Sequence, residues 1–148
     1  MSTLSIATSG LNAASLRLEV TASNIANAST TGPLPSSGGS GVSGAAAGSG
    51  NSNFPAVYLP LQVNQTDQTS GSTPGGVVAT VSTASPGFVA QYDPTASFAN
   101  QDGLVAAPNV DLASQFVQLL VAKYSFAANA KVIQAYSDTT KSLLDITT

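Results

Sequence analysis

"LSIATSGLNAASLRLEVTASNIANA", residues 4–28, is the stretch that decides how this chain is built. Leu4, Leu11, Leu18 and Ile25 recur every seven residues, and Ala7, Ala14, Thr21 and Ala28 stand three places after each. That is the a/d spacing of a helix that packs along a seam against another helix. A second apolar set, Ile6, Ala13 and Val20, lies elsewhere on the same helix, and Leu16 points almost directly away from the seam. A helix apolar on two sides touches more than one neighbour. One reading is a central helix buried inside its own domain. The other is a helix covered by other chains, and the shortage of further helices in this sequence favours it.

The helix must stop near "NIANASTTGP", residues 24–33, because Asn, Ser and Thr compete for backbone hydrogen bonds and Gly-Pro cannot continue it. Two readings of Asn24 and Asn27 stand side by side. Their amides close the last turn of the helix, or they also bond a neighbouring subunit and fix its register. An unpaired buried polar group costs about 1–3 kcal/mol, so such amides penalise a wrong register. The first reading leads for Asn24, and the two are even for Asn27.

The far end of the chain repeats the theme. "PNVDLASQFVQLLVAKYSFAANAKVIQAYSDTTKSLLDI" (108–146) contains no Gly or Pro after Pro108, and Asp111 is a good N-cap with Asn109 as competitor. A single helix of ~34 residues and ~50 Å is expected. Stepping by four and three from Leu112 gives Leu112, Phe116, Leu119, Lys123, Phe126, Ala130, Ile133, Ser137, Thr140 and Leu144. Seven of these ten are apolar, so this is a second coiled-coil-like seam. Val117, Leu120, Val121, Tyr124 and Leu143 lie off it, so this helix too is covered on more than one side.

Between the helices the character changes. Residues 32–53, "GPLPSSGGSGVSGAAAGSGNSN", have no periodicity and read as a flexible Gly/Ser loop. "FPAVYLPLQV" (54–63) alternates, and its prolines place it at a sheet edge; after the turn-rich 64–75, "GVVATVST" (76–83) is strand-like again. The two are expected to form a hairpin with a long loop, followed by extended "PGFVAQYDP" and an irregular stretch to Pro108. The expected fold is mainly α with a small β insert. Its parts are a discontinuous helical core at 1–31 and 109–148, the loop at 32–53, and a β-hairpin and extended insert at 54–108.

Composition narrows the function. Of 148 residues only 7% are charged, against 43% apolar, and the net charge is −3. A soluble monomer usually carries about 25% charged residues, so part of this surface is expected to be covered. Four basic residues, Arg17, Lys123, Lys131 and Lys141, are too few and too scattered for a nucleic-acid footprint. With neither Cys nor His, the sequence offers no disulfide, no thiolate or imidazole metal ligand and no ordinary general base. The remaining nucleophile scheme, Ser125 with Lys123 or Lys131, has spacings of two and six that do not put the pair on one helical face. "DPTASFANQD" carries too few acids for a calcium loop. No catalytic, cofactor or metal residues are expected. The start "MSTLSIATSG" is no Sec-type signal, and "FVQLLVA" (116–122) is far short of the ~20 residues of a membrane span.

These segments, in this order, resemble the axial proteins of the bacterial flagellum, most closely the proximal-rod branch. "SGLNAASLRLEVTASNIANASTTGP" is similar to the family's first helix and Asn-rich exit, and "TGP" fits the proximal rod better than the "TTGF" of hook and distal-rod relatives. "FPAVYLPLQV" resembles the strand that follows. "VVATVSTASPGFVAQYDPTASFANQDGLVAAPNVDL" resembles the strand, Tyr-acid-Pro segment and helix entry, and "FAANAKVIQAYSDTTKSLLDI" the C-terminal helix. The Gly/Ser tract is longer than the family's, and many charged positions hold Ala, Ser or Gln.

The resemblance implies a non-enzymatic, cofactor-free subunit of the basal-body rod, a tube that crosses the periplasm and transmits torque. It implies helices in the core, the β insert outward, and export unfolded through the flagellar type III apparatus. The implied partners are copies of the chain, other rod proteins, and inner-membrane ring and export-gate components at the rod base. No nucleic acid partner and no membrane span are implied. The assembly interface is then expected at Leu4, Leu11, Leu18, Ile25, Asn24, Asn27, Leu112, Phe116, Leu119, Phe126 and Ile133. A distal-rod or hook-like subunit is the alternative within the class, and a secreted low-charge binding module or adhesin the alternative outside it.

Overall fold

The computed structural model describes residues 3–35, 54–70 and 73–146. Its element order is α1 (Thr3–Ala26), β1 (Leu61–Ser70), β2 (Thr73–Thr83), β3 (Phe88–Tyr92), β4 (Leu104–Pro108) and α2 (Leu112–Ile146). Two long terminal helices thus bracket two β-hairpins, β1–β2 and β3–β4, and the fold is mainly α with a small β insert. The expected Gly/Ser loop lies mostly outside the described residues.

The chain divides into two compact units. One comprises Met1–Ala22, Val63–Val81 and Phe116–Thr148, the other Ser23–Gln62 and Ser82–Gln115.

In the first unit α1 buries small side chains, Ala7, Ala13, Ala14, Val20 and Thr21, and α2 buries Ala122. Small residues let backbones come close. A Cβ on Gly10 would lie 2.7 Å from the Asn129 amide nitrogen, so the two helices touch there. Ser9 ties α1 to β2: its hydroxyl donates to the Ile6 carbonyl at 2.7 Å and accepts the Val77 N–H at 3.1 Å. Beside it Gly76 has φ +101°, a left-handed conformation that suits glycine.

The second unit is built on β3–β4, paired antiparallel with Phe88 opposite Pro108 and Tyr92 opposite Leu104. Val105, Ala106 and Ala107 of β4 are buried. On β4's other edge, Gly32 and Ala106 exchange backbone hydrogen bonds at 2.9 Å. The chain leaving α1 is thereby held against this sheet. Asn100 shapes the β3–β4 loop, where its Oδ1 accepts the Asp102 and Leu104 amides.

Three local expectations are corrected. The strand expected over 54–63 starts only at Leu61, because Pro55 and Pro60 lack the N–H a ladder needs; residues 55–60 lie outside any strand. The turn-rich 64–75 is mostly strand: a two-stranded hairpin with Asn64–Gln68 exposed needs no apolar alternation. The stretch read as irregular before Pro108 contains β4, entered through Gly103 at φ +72°. The C-terminal helix begins where Asp111 starts it, its Oδ1 accepting the Ala113 N–H at 3.1 Å. Asn109 serves elsewhere, donating to the Pro86 carbonyl.

Candidate assembly surface

Asn24 is 1% exposed, and its carboxamide does not cap its helix. Its Nδ2 donates to the Leu61 carbonyl at 2.8 Å and to Gln115 Oε1 at 3.1 Å. Its Oδ1 accepts the Leu61 N–H and the Tyr58 hydroxyl, each at 2.9 Å. Tyr58 spends its one proton on Asn24, so the 3.1 Å contact with Ser23 Oγ has Ser23 as donor. The amide orientation is fixed by its partners, since Leu61 N–H demands an oxygen and Leu61 C=O demands a nitrogen. Two donors and two acceptors are all that a carboxamide has, and all four are used within the chain. The cap reading of Asn24 is therefore corrected. The sequence singled out the residue but missed Ser23, Tyr58, Leu61 and Gln115, which carry no signal of their own.

Asn27 does close the helix end. Its Nδ2 donates to the Ser23 carbonyl at 2.9 Å, and its own carbonyl accepts the N–H and hydroxyl of Thr30. The Ser23 carbonyl thus accepts both the backbone N–H and the side-chain amide of Asn27, and Thr30 satisfies the Asn27 carbonyl beyond the last turn.

The seam positions of α1 split by size. Ala7, Ala14 and Thr21 are buried, Leu11, Leu18 and Ile25 are half-buried, and Leu4 is exposed. On α2, Leu119 and Ile133 are half-buried, while Leu112, Phe116 and Phe126 are exposed. The row that α2 turns inward is Gln115, Leu119, Ala122, Ser125, Asn129 and Ile133. Phe116 is 54% exposed, Tyr124 69% and Leu143 61%, and Val117, Leu120 and Val121 are also exposed. From Gln134 to Ile146 every residue is exposed. Large apolar side chains thus stand exposed along much of α2.

Among the described residues no group of three or more His, Cys, Asp or Glu side chains could hold a metal ion. Lys131 donates to Gln134, and the Ser125 carbonyl accepts from Asn129. Asp93 is held below the usual carboxylate value by hydrogen bonds from the Thr95 hydroxyl and amide, an ordinary turn. Among the described residues no helix is long and apolar enough to cross a membrane.

Comparison with known proteins matches this layout. Residues 4–33 fit the family model described as flagella basal body rod protein, and residues 101–146 the one described as flagellar basal body rod FlgEFG protein C-terminal. The flagellar basal-body rod protein FlgC of Salmonella typhimurium is 34% identical over 141 residues, 94% of this chain and 88% of that protein. FlgC of Escherichia coli O157:H7 matches to the same extent, and that of Agrobacterium fabrum is 30% identical over 95% of this chain and 90% of its own. The chain belongs to the FlgC family of flagellar basal-body rod proteins. It is a structural subunit of the proximal rod and assembles with other rod components. The matched segments are the helix-bearing ends of the chain, α1 with its exit and β4 with α2.

Proposed function

We propose that this FlgC-family subunit is built into the rod through the apolar residues that α1 and α2 leave in solvent. The observation that carries the reading is the exposed face of α2, where Phe116, Leu120 and Tyr124 follow one another at helical spacing and stand open. Of the expected set, Leu4, Leu112, Phe116 and Phe126 stand exposed and, with Leu120 and Tyr124, make the outer interface; Leu11, Leu18 and Ile25 are half-buried beside it, with Asn27 at the edge, and Leu119 and Ile133 lie on the row that α2 turns inward. Asn24 acts from within the subunit. Copies of this chain and neighbouring rod proteins cover this surface, and ring and export-gate components meet it at the rod base. The chain is a non-enzymatic building part, delivered unfolded by the flagellar type III apparatus.

Assembly supplies the driving force. Burying a large apolar side chain yields about 1.5–3 kcal/mol, so a few such residues per neighbour offset the cost of fixing the subunit in place. The test is complementation of a strain lacking the subunit. Phe116→Asp and Leu120→Asp chains are expected to be made and exported at the parent level yet to leave cells non-motile and without rods. Normal motility with both substitutions together would refute this interface.

A further inference from the structure

The bonds around Asn24 have a pattern that a simple helix cap does not. Its carboxamide presents an oxygen to the N–H and a nitrogen to the C=O of one residue, Leu61, as a neighbouring β-strand would. Leu61 is also the first residue of β1, directly after Pro60, which cannot donate to a ladder. With its second hydrogen the same amide holds Gln115 in the first turn of α2, and with its second lone pair it holds Tyr58. One side chain near the end of α1 thus reaches both the start of β1 and the start of α2.

We propose that Asn24 is the register-setting residue of the subunit: it fixes which residue begins β1 and which turn of α2 faces the end of α1. It is a positioning residue for assembly, since it prepares the fold whose helices the rod accepts, and its consequence in the cell rests on the assembly reading above. Directional bonding is what selects the register. Apolar contact is non-directional and tolerates a slip, whereas any slip leaves buried donors and acceptors unpaired. The side chain must be an amide of this length. Asp lacks the donors, and Gln carries them one methylene too far.

Asn24→Asp makes the test specific. The carboxylate still accepts from Leu61 N–H and Tyr58 but faces the Leu61 carbonyl with no proton to give. Protonating it restores one donor. The folded state then prefers the acid form, so the introduced carboxyl has a raised pKa in the folded chain. The resulting stability is present at low pH and lost as pH rises through that value. Tyr58 is the ionisable group bonded to this position. The charged side chains on the adjoining elements are Arg17 and Glu19 on α1, Asp67 on β1, Asp111 before α2 and, further along α2, Lys123, Lys131, Asp138, Lys141 and Asp145. Arg17 donates to Gln65, and Asp111 caps Ala113.

Thermal unfolding of the purified full-length chain is measured for the parent, Asn24→Asp and Asn24→Ala at pH 7.5 and pH 4.5, together with motility of complemented cells. Both variants are expected to melt roughly 5–10 °C below the parent at pH 7.5. At pH 4.5 Asn24→Asp is expected to recover at least half of its deficit against the parent at the same pH, while Asn24→Ala recovers none. Both are expected to reduce motility at neutral pH. An Asn24→Asp chain that melts with the parent at pH 7.5, or whose deficit acid does not relieve, overturns the proposal. Motile cells carrying Asn24→Ala overturn its link to assembly. The assembly reading itself is judged separately, by the Phe116 and Leu120 substitutions, which do not touch this network.

Discussion

At the scale of single residues, conformational fit decides more than hydrophobicity. Gly76 sits at φ +101° with the Ser9 hydroxyl against the place a Cβ would occupy. Gly76→Ala therefore meets both left-handed strain and a clash, at a cost of about 1–3 kcal/mol, and should lower the urea midpoint accordingly. Asp93 works through its charge. Its pKa is depressed, so its contribution to the Thr95 turn is present above the usual value of 3.8 and is lost as pH falls through the lowered one. Resonances of Thr95 and Ala96 followed by NMR should hold their neutral-pH positions down to about pH 4 and move below it. Asn24 shows where sequence reasoning ends at this scale. Its oddity as an amide in an apolar helix was legible. Its partners stand 34 positions away at Tyr58 and 91 away at Gln115, and no local pattern links them.

At the scale of elements, the two helices were legible and the strands only in part. Period, capping and the absence of Gly and Pro placed α2 to within a residue, because those signals are local. The β1–β2 hairpin was displaced because its first strand is polar on both sides from Asn64 onward and its prolines precede the strand. β4 was missed because a five-residue run, Leu104–Pro108, looks like any short apolar stretch until a partner strand is known. Which row of α2 faces inward was also not decidable from spacing. Leu119, Ala130 and Ile133 of the expected seam do turn inward or partly so, but Ala122 rather than Lys123 is the buried position. Ala122 is fully buried, so Ala122→Leu should overpack its site and cost about 1–3 kcal/mol. Phe116→Asp, at an exposed position of the same helix, should change stability by under about 0.5 kcal/mol while abolishing assembly. Paired denaturation and motility measurements separate the two.

At the scale of the whole molecule, the chain has few charges and leaves large apolar side chains in water, an arrangement that suits a part rather than a free-standing protein. Among the described residues the buried apolar side chains are alanines and valines, and many of the larger leucines and aromatics stand exposed. Residues 134–146 are all exposed, so a chain ending at Ile133 should melt within about 2 °C of the parent yet fail to restore motility. The absence of cysteine gives the most direct access to the central claim. Single cysteines placed at Phe116, Leu120, Tyr124 or Leu143, with Ala122→Cys as a buried control, are labelled with a maleimide in the free chain and in isolated basal bodies. The four surface positions are expected to react readily in the free chain and to fall to the rate of the buried control in the rod. Equal labelling in both states would contradict assembly through this face of α2.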